Sequence, residues 1–389
     1  MLLFNKRAVA SLLSATMCIS FATFNMSIVA NAEDSSSTVS NDNTISTSDI
    51  MYAKTNLFPA LEADLIYTPE ALGFTSDNVQ SISLGDAFTI NTYDGGNFND
   101  INDIMYFPII SDNDILALLT LTKYNGELSA SIGKDFADEL SDYLDDNDDT
   151  VALFSYEQDI FGIDSSSNVE VVFDSPDNNE SRQPSMDNIL YADVVTSSNV
   201  LSVETLYEST TDIDISGIEP TRSYNYLIYY PIVYQGNYGI CWAATVAAMV
   251  IYEVSYINNL TATQVCDAIG HGYNGGTKDD IIEALEYYLP SIYLPMYYPY
   301  VMSQYDIKTI INNDDPACML CHDINNSNNR HAVSLCGYSE WDGGFQIRIM
   351  DSAYQCFKFS TYSSANGYLF PFGNTQYKWD YTVRLLYNL

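Results

Sequence analysis

At 389 residues the chain is long enough for two domains, and its 47% apolar content can fill a core. Charge is the outlier, with 51 acidic against 14 basic residues and a formal net charge of −37. A field of this sign argues against nucleic acid and anionic membranes as partners, because phosphate binding needs clustered Lys and Arg. In chain order, Lys6 and Arg7 precede an uncharged apolar run, Ala8 to Val29, and Ala30-Asn31-Ala32 fits a small-residue cleavage site. Residues 1–32 therefore read as a secretory signal peptide, with an uncleaved anchor as the alternative. The mature protein is expected outside the cell, or at its surface if the segment stays.

Residues 33–56 are rich in Ser, Thr, Asn and Asp and read as a flexible linker. Residues 57–175 read as a β-rich domain. Ile115 to Thr122, the turn Asn125-Gly126 and Glu127 to Ile132 form a hairpin pattern. Lys134 to Leu144 carries Phe136, Leu140, Tyr143 and Leu144 at helical spacing. Residues 176–221 lose apolar density and read as a connector. From Arg222 the charge changes character: 37 acidic and 6 basic residues come before it, 14 and 8 from it onward. Such asymmetry predicts two parts with different tasks.

The last part, residues 222–389, predicts helices first and strands second. Gly239 to Tyr256 reads as a buried helix. Thr261 with Gln264, Thr277 with Asp280, and Ser303 with Asp306 mark three further helix starts. Strands are expected over 317–324, 332–338, 345–350, 356–359 and 381–386. The arrangement predicts an α+β fold.

Only three histidines exist, His271, His322 and His331. His331 opens an apolar strand, where a side chain is held rigidly with one face open, as a general base requires. Cys241, within Gln235-Gly-Asn-Tyr-Gly-Ile-Cys241-Trp242, starts the Ala-rich helix. A helix N-terminus and a nearby imidazolium both favour the thiolate. Backbone N–H groups there, with the Gln235 amide, are candidate donors to a developing oxyanion. Asp351 closes the strand after the His331 strand, within reach of the ring as its orienting carboxylate. Cys318-x-x-Cys321-His322 has the local spacing of zinc ligands, but positions i and i+3 of a strand point to opposite faces, and core packing is the reading kept. No metal and no cofactor are expected.

Gln-x5-Cys-Trp, then His-Ala-Val…Gly-Tyr, then Asp-Ser, in this order, resembles the papain superfamily of cysteine peptidases, and within it compact bacterial secreted enzymes of the staphopain type. The resemblance covers about Tyr224 to Leu389. It implies a two-lobed catalytic domain, helical lobe plus antiparallel sheet lobe, over 222–389. It gives Cys241 the role of nucleophile, His331 that of base and acid, Asp351 that of orienting residue and Gln235 that of oxyanion donor. Gly275 and Gly276 resemble the strip that pairs with substrate backbone, beside Trp242. Ile240 and Tyr238 depart from the family pattern, so the disulfide made next to the nucleophile in papain is absent; Ala353 replaces a Trp. The acidic half, around Leu84-Gly85-Asp86 and Tyr106-Phe107-Pro108, is similar to staphopain-type propeptides, which implies a zymogen whose pro-domain inhibits it until cleavage in the connector. A protein or peptide substrate and a monomer follow. Transglutaminase-like acyl transfer, cell-wall amidase activity and a non-catalytic binding role on the same scaffold are the rivals.

Overall fold

The computed structural model describes residues 43–387, apart from 77–78, 80–81, 95, 112–113, 148–149, 157–158, 175–188, 196–199, 202–210, 213–221 and 373–374. The expected signal peptide and most of the expected connector lie outside the described residues.

The segment expected as linker contains helix α1, Thr47–Asn56. Ser46 caps it: its hydroxyl accepts the Asp49 N–H, and the Asp49 carboxylate accepts the Ser46 N–H. This reciprocal box lets a polar stretch begin a helix that composition alone conceals. Helix α2, Phe58–Tyr67, follows with eight of its ten residues buried, Asp64 among them. The next strands are β1 (Ile82–Leu84), β2 (Asn91–Asp94), β3 (Asn97–Asn99), β4 (Ile104–Ser111), β5 (Asp114–Tyr124) and β6 (Glu127–Gly133). The β5–β6 turn places Asn125 at φ 51° and Gly126 at φ 76°, the left-handed pair that a two-residue hairpin needs. Helix α3, Ala137–Asp145, lays Leu140 and Leu144 into the core. Strands β7 (Val151–Tyr156), β8 (Asp159–Asp164) and β9 (Val169–Phe173) join β2, β3 and β10 (Val200–Leu201) in a six-stranded sheet.

Strand β11 (Thr211–Asp212) pairs β1. In the C-terminal half, β12 (Ser223–Tyr226) precedes helices α4 (Cys241–Glu253), α5 (Ala262–Ile269) and α6 (Lys278–Tyr288), then β13 (Tyr293–Tyr298) and α7 (Gln304–Asn312). Thr261–Gln264 and Thr277–Asp280 form capping boxes, and Ser303 caps α7. Six strands end the chain: β14 (Ala317–Asp323), β15 (Arg330–Trp341), β16 (Gly344–Asp351), β17 (Cys356–Ser363), β18 (Gly367–Phe372) and β19 (Thr375–Tyr387). Each pairs antiparallel with the next, and β19 returns to β14, which pairs β15. The result is a closed six-stranded barrel without a free edge.

The expected fold class, an α+β catalytic domain of helical lobe plus sheet lobe behind a separate β-rich pro-domain, is corrected by this topology. Strand outweighs helix among the described residues, and the sheet half closes on itself as a barrel. The helices do not build a lobe with its own core. Val246 and Met249 of α4, Ile281 of α6 and Ile307 of α7 share one hydrophobic cluster with Leu335, Ile347 and Trp379 of the barrel. The two halves also share a sheet. Strand β6 hydrogen-bonds β17 in the register Gly133↔Lys358, Ile132↔Phe359 and Ser131↔Ser360. All described residues fall in a single compact unit. No described helix is long and apolar enough to cross a membrane.

Candidate active site

Cys241 is the first residue of α4 and 9% exposed. The first ten residues of the helix are buried, and the Thr245 hydroxyl ties it to β15 by donating to Ala332 O at 3.1 Å. That tie sits one turn below the thiol and beside His331. The Ala332 N–H points at Cys241 Sγ, 3.4 Å away.

His331 is buried near the start of β15. Its Nε2 and Asp351 Oδ1 are 3.1 Å apart. Its Nδ1 has no hydrogen-bond partner. Burial alone would drive the proton off this ring. The negative charge of Cys241, then the bond to Asp351, outweighs burial and holds the imidazole pKa well above its ordinary value. Asp351, fully buried at the end of β16, feels the opposite balance. Burial raises its pKa, but the Lys358 ammonium and His331 pull it down to about 2. Its Oδ1 also accepts the Ala353 N–H at 3.0 Å. Antiparallel β15–β16 pairing, with Ser334 opposite Met350, brings the two strand ends together.

Gln235 is buried and does not line the cleft. Its Nε2 donates to Tyr238 O at 3.1 Å, and its Oε1 accepts the Ser352 hydroxyl at 2.9 Å. Ser352, adjacent to Asp351, thus clamps the glutamine to the triad strand. The Trp242 indole donates to Asn274 O at 3.0 Å and fixes the 274–276 strip. A Cβ on Gly276 would stand 2.5 Å from the Trp242 ring, so only glycine lets strip and indole meet.

A cleft of about 640 Å3 opens onto the thiol. Gly239, Cys241 and Trp242 form one part of its wall, Gly275, Gly276, Thr277 and Lys278 a second, and Arg330, His331 and Ala332 a third. Tyr297 and Tyr381 add aromatic surface. No described residue of the N-terminal half is among those that line it.

The other histidines stand apart. His322 pairs with Asp380 at 2.5 Å, and His271 packs edge-on against Trp242. Cys318 and Cys321 are buried thiols, with pKa raised chiefly by burial, and no metal-binding cluster occurs among the described residues. Three participants were missed in the sequence: Thr245, Ser352 and Lys358. Lys358 is fully buried between Cys356 and Phe359 and stands 3.0 Å from Asp351 Oδ2. A lysine inside an otherwise apolar strand was the available signal, since a buried ammonium needs a carboxylate. No family model matches this sequence, and no curated protein is significantly similar to it.

Proposed function

We propose that the protein is an exported cysteine peptidase that hydrolyses peptide bonds through Cys241, His331 and Asp351. The observation that carries this reading is one cluster at the wall of an open cleft. It holds a thiol at a helix N-terminus, an imidazole with an unpartnered Nδ1 and a carboxylate on the ring's other nitrogen. A histidine with a raised pKa beside Cys241 supports an imidazolium poised next to the nucleophile.

In this reading the Cys241 thiolate attacks the scissile carbonyl carbon. The oxyanion is met by N–H groups at the start of α4; the Gln235 amide, expected as a second donor, is turned to Tyr238 O and stands outside the cleft lining. His331 gives its proton to the departing amine, leaving an acyl-thioester. The neutral ring then takes a proton from water, the hydroxide equivalent attacks the thioester, and Cys241 leaves as thiolate. The strip at Gly275 and Gly276 offers backbone groups for an extended substrate, and the resemblance to staphopain-type enzymes points to the same chemistry.

Peptide-library cleavage by the purified protein, with Cys241→Ala as control, tests the reading. We expect defined cleavage products that the variant lacks. Amine incorporation into glutamine side chains without hydrolysis would instead indicate acyl transfer.

A further inference from the structure

Two contacts of the N-terminal half lead to the groups behind the triad. Lys358 lies on β17, fully buried, and its ammonium bridges two carboxylates: Asp351 of the triad and Asp135 of the N-terminal half. It also donates to Pro371 O at 2.7 Å and lies over the Tyr354 and Phe372 rings, 4.2 and 4.6 Å from their centroids. Asp135 reaches it from a left-handed backbone at φ 40°, a conformation that costs a non-glycine residue energy and persists where surroundings fix it. Gly133, opposite Lys358 in the β6–β17 pairing, leaves room for the lysine stem; a Cβ there would stand 2.8 Å from Lys358 Cγ. A second route runs through stacked rings. Phe173 of the N-terminal half stacks on Tyr354 at 4.9 Å, Tyr354 on Phe372 at 6.3 Å, and Phe372 meets the His331 ring at 4.4 Å.

We propose that Lys358 is a positioning residue for Asp351, that Asp135 holds Lys358 in place, and that the N-terminal half therefore buttresses the active site of the uncleaved chain rather than blocking it. The inference rests on the peptidase reading for its reaction, but not for its test. Two independent contacts, one ionic and one aromatic, reach the triad from behind, while no described residue of the N-terminal half lines the cleft in front. The ionisable neighbours of Asp351 are His331 on β15, Lys358 and Cys356 on β17, Asp135 before α3, Cys321 on β14, and Cys241 on α4 through the imidazole. Among them Lys358 and the imidazolium are the positive charges. Loss of the lysine disfavours both the carboxylate and the thiolate, so thiolate formation moves to higher pH.

The test is the rate of Cys241 carboxamidomethylation by iodoacetamide across pH, together with peptide hydrolysis. Both are measured on the full chain, with intact mass confirming that it is uncleaved. The uncleaved chain is expected to label at Cys241 and to turn over peptide. Lys358→Met should move the acid limb of the labelling profile upward by about one pH unit, about a tenfold lower rate on that limb, with Lys358→Arg restoring part of it. Gly133→Ala, which keeps both charges but displaces Lys358, should move the limb in the same direction by less, and Asp135→Asn, which unties Lys358 and also removes a negative charge, should depart from the wild-type profile. A wild-type profile in Lys358→Met overturns the proposal. If that variant does not fold, wild-type profiles in both other variants overturn it. So does an uncleaved chain whose Cys241 resists labelling until the halves are severed. Labelling that follows these expectations without peptide hydrolysis in any form would sink the peptidase reading and leave the positioning role standing.

Discussion

Asp351 and His331 carry pH signatures with opposite signs. The folded pKa of Asp351, about 2, lies below the ordinary 3.8. Its ionisation therefore stabilises the fold above pH 3.8, by about 2 kcal/mol, and that contribution disappears as pH falls through about 2. His331 has a raised pKa, so its contribution is complete below 6.5 and is lost as pH rises through the folded value. In denaturant unfolding, the stability gap between the protein and Asp351→Asn should be widest above pH 4 and narrow toward pH 2. A gap independent of pH would contradict the ionised, lysine-paired carboxylate. Cys241, His331 and Asp351 were legible in the sequence because only three histidines compete for the role and each residue sits at an element end. Gln235 was legible as a position, but its clamp by Ser352 was not, since a serine hydroxyl has many equivalent partners until a fold selects one.

At the scale of elements, α4 and β15 must keep register for thiol and imidazole to meet. The Thr245 hydroxyl is their polar tie. Thr245→Val keeps the shape and removes the donor, and we expect a loss of about 1 kcal/mol in stability. In the peptide-cleavage assay kcat should fall with KM little changed, because the cleft walls at Gly275 and Tyr297 are untouched; an unchanged kcat would show that apolar packing alone sets the register. Helix starts were readable from capping pairs, which are local chemistry. Strand β18 was not readable, because Pro371 breaks the usual strand pattern and cannot donate to a ladder. Without β18 the remaining strands look like an open sheet, and barrel closure depends on it.

Over the whole molecule, the two halves are joined at charged and hydrogen-bonded anchors as well as along β6–β17. Asp64 of α2, fully buried, pairs with Arg222 and accepts from Tyr226 and Gln346. Arg348 donates to Ala71 O. Composition revealed that the halves differ, and charge asymmetry suggested separable parts. It could not reveal that a few acids of the acidic half are buried against cations of the other. We expect one cooperative unfolding transition, with tryptophan fluorescence, which reports only the C-terminal half because Trp242, Trp341 and Trp379 all lie there, coincident with far-UV circular dichroism. Asp64→Ala should lower stability by about 3–5 kcal/mol by leaving Arg222 buried and unpaired. Two separated transitions would show that the halves unfold independently.

The thiols set the protein's relation to redox chemistry. Six cysteines are described, all free, and those besides Cys241 are at most 2% exposed. Burial raises the pKa of Cys266 and Cys336 to about 11 and lifts those of Cys318, Cys321 and Cys356 further. Among the described residues no cross-link contributes to the fold, so a reductant has nothing structural to undo. Conditions that keep Cys241 reduced are therefore compatible with a folded barrel, and oxidation at that one sulfur can be reversed without passing through an unfolded state.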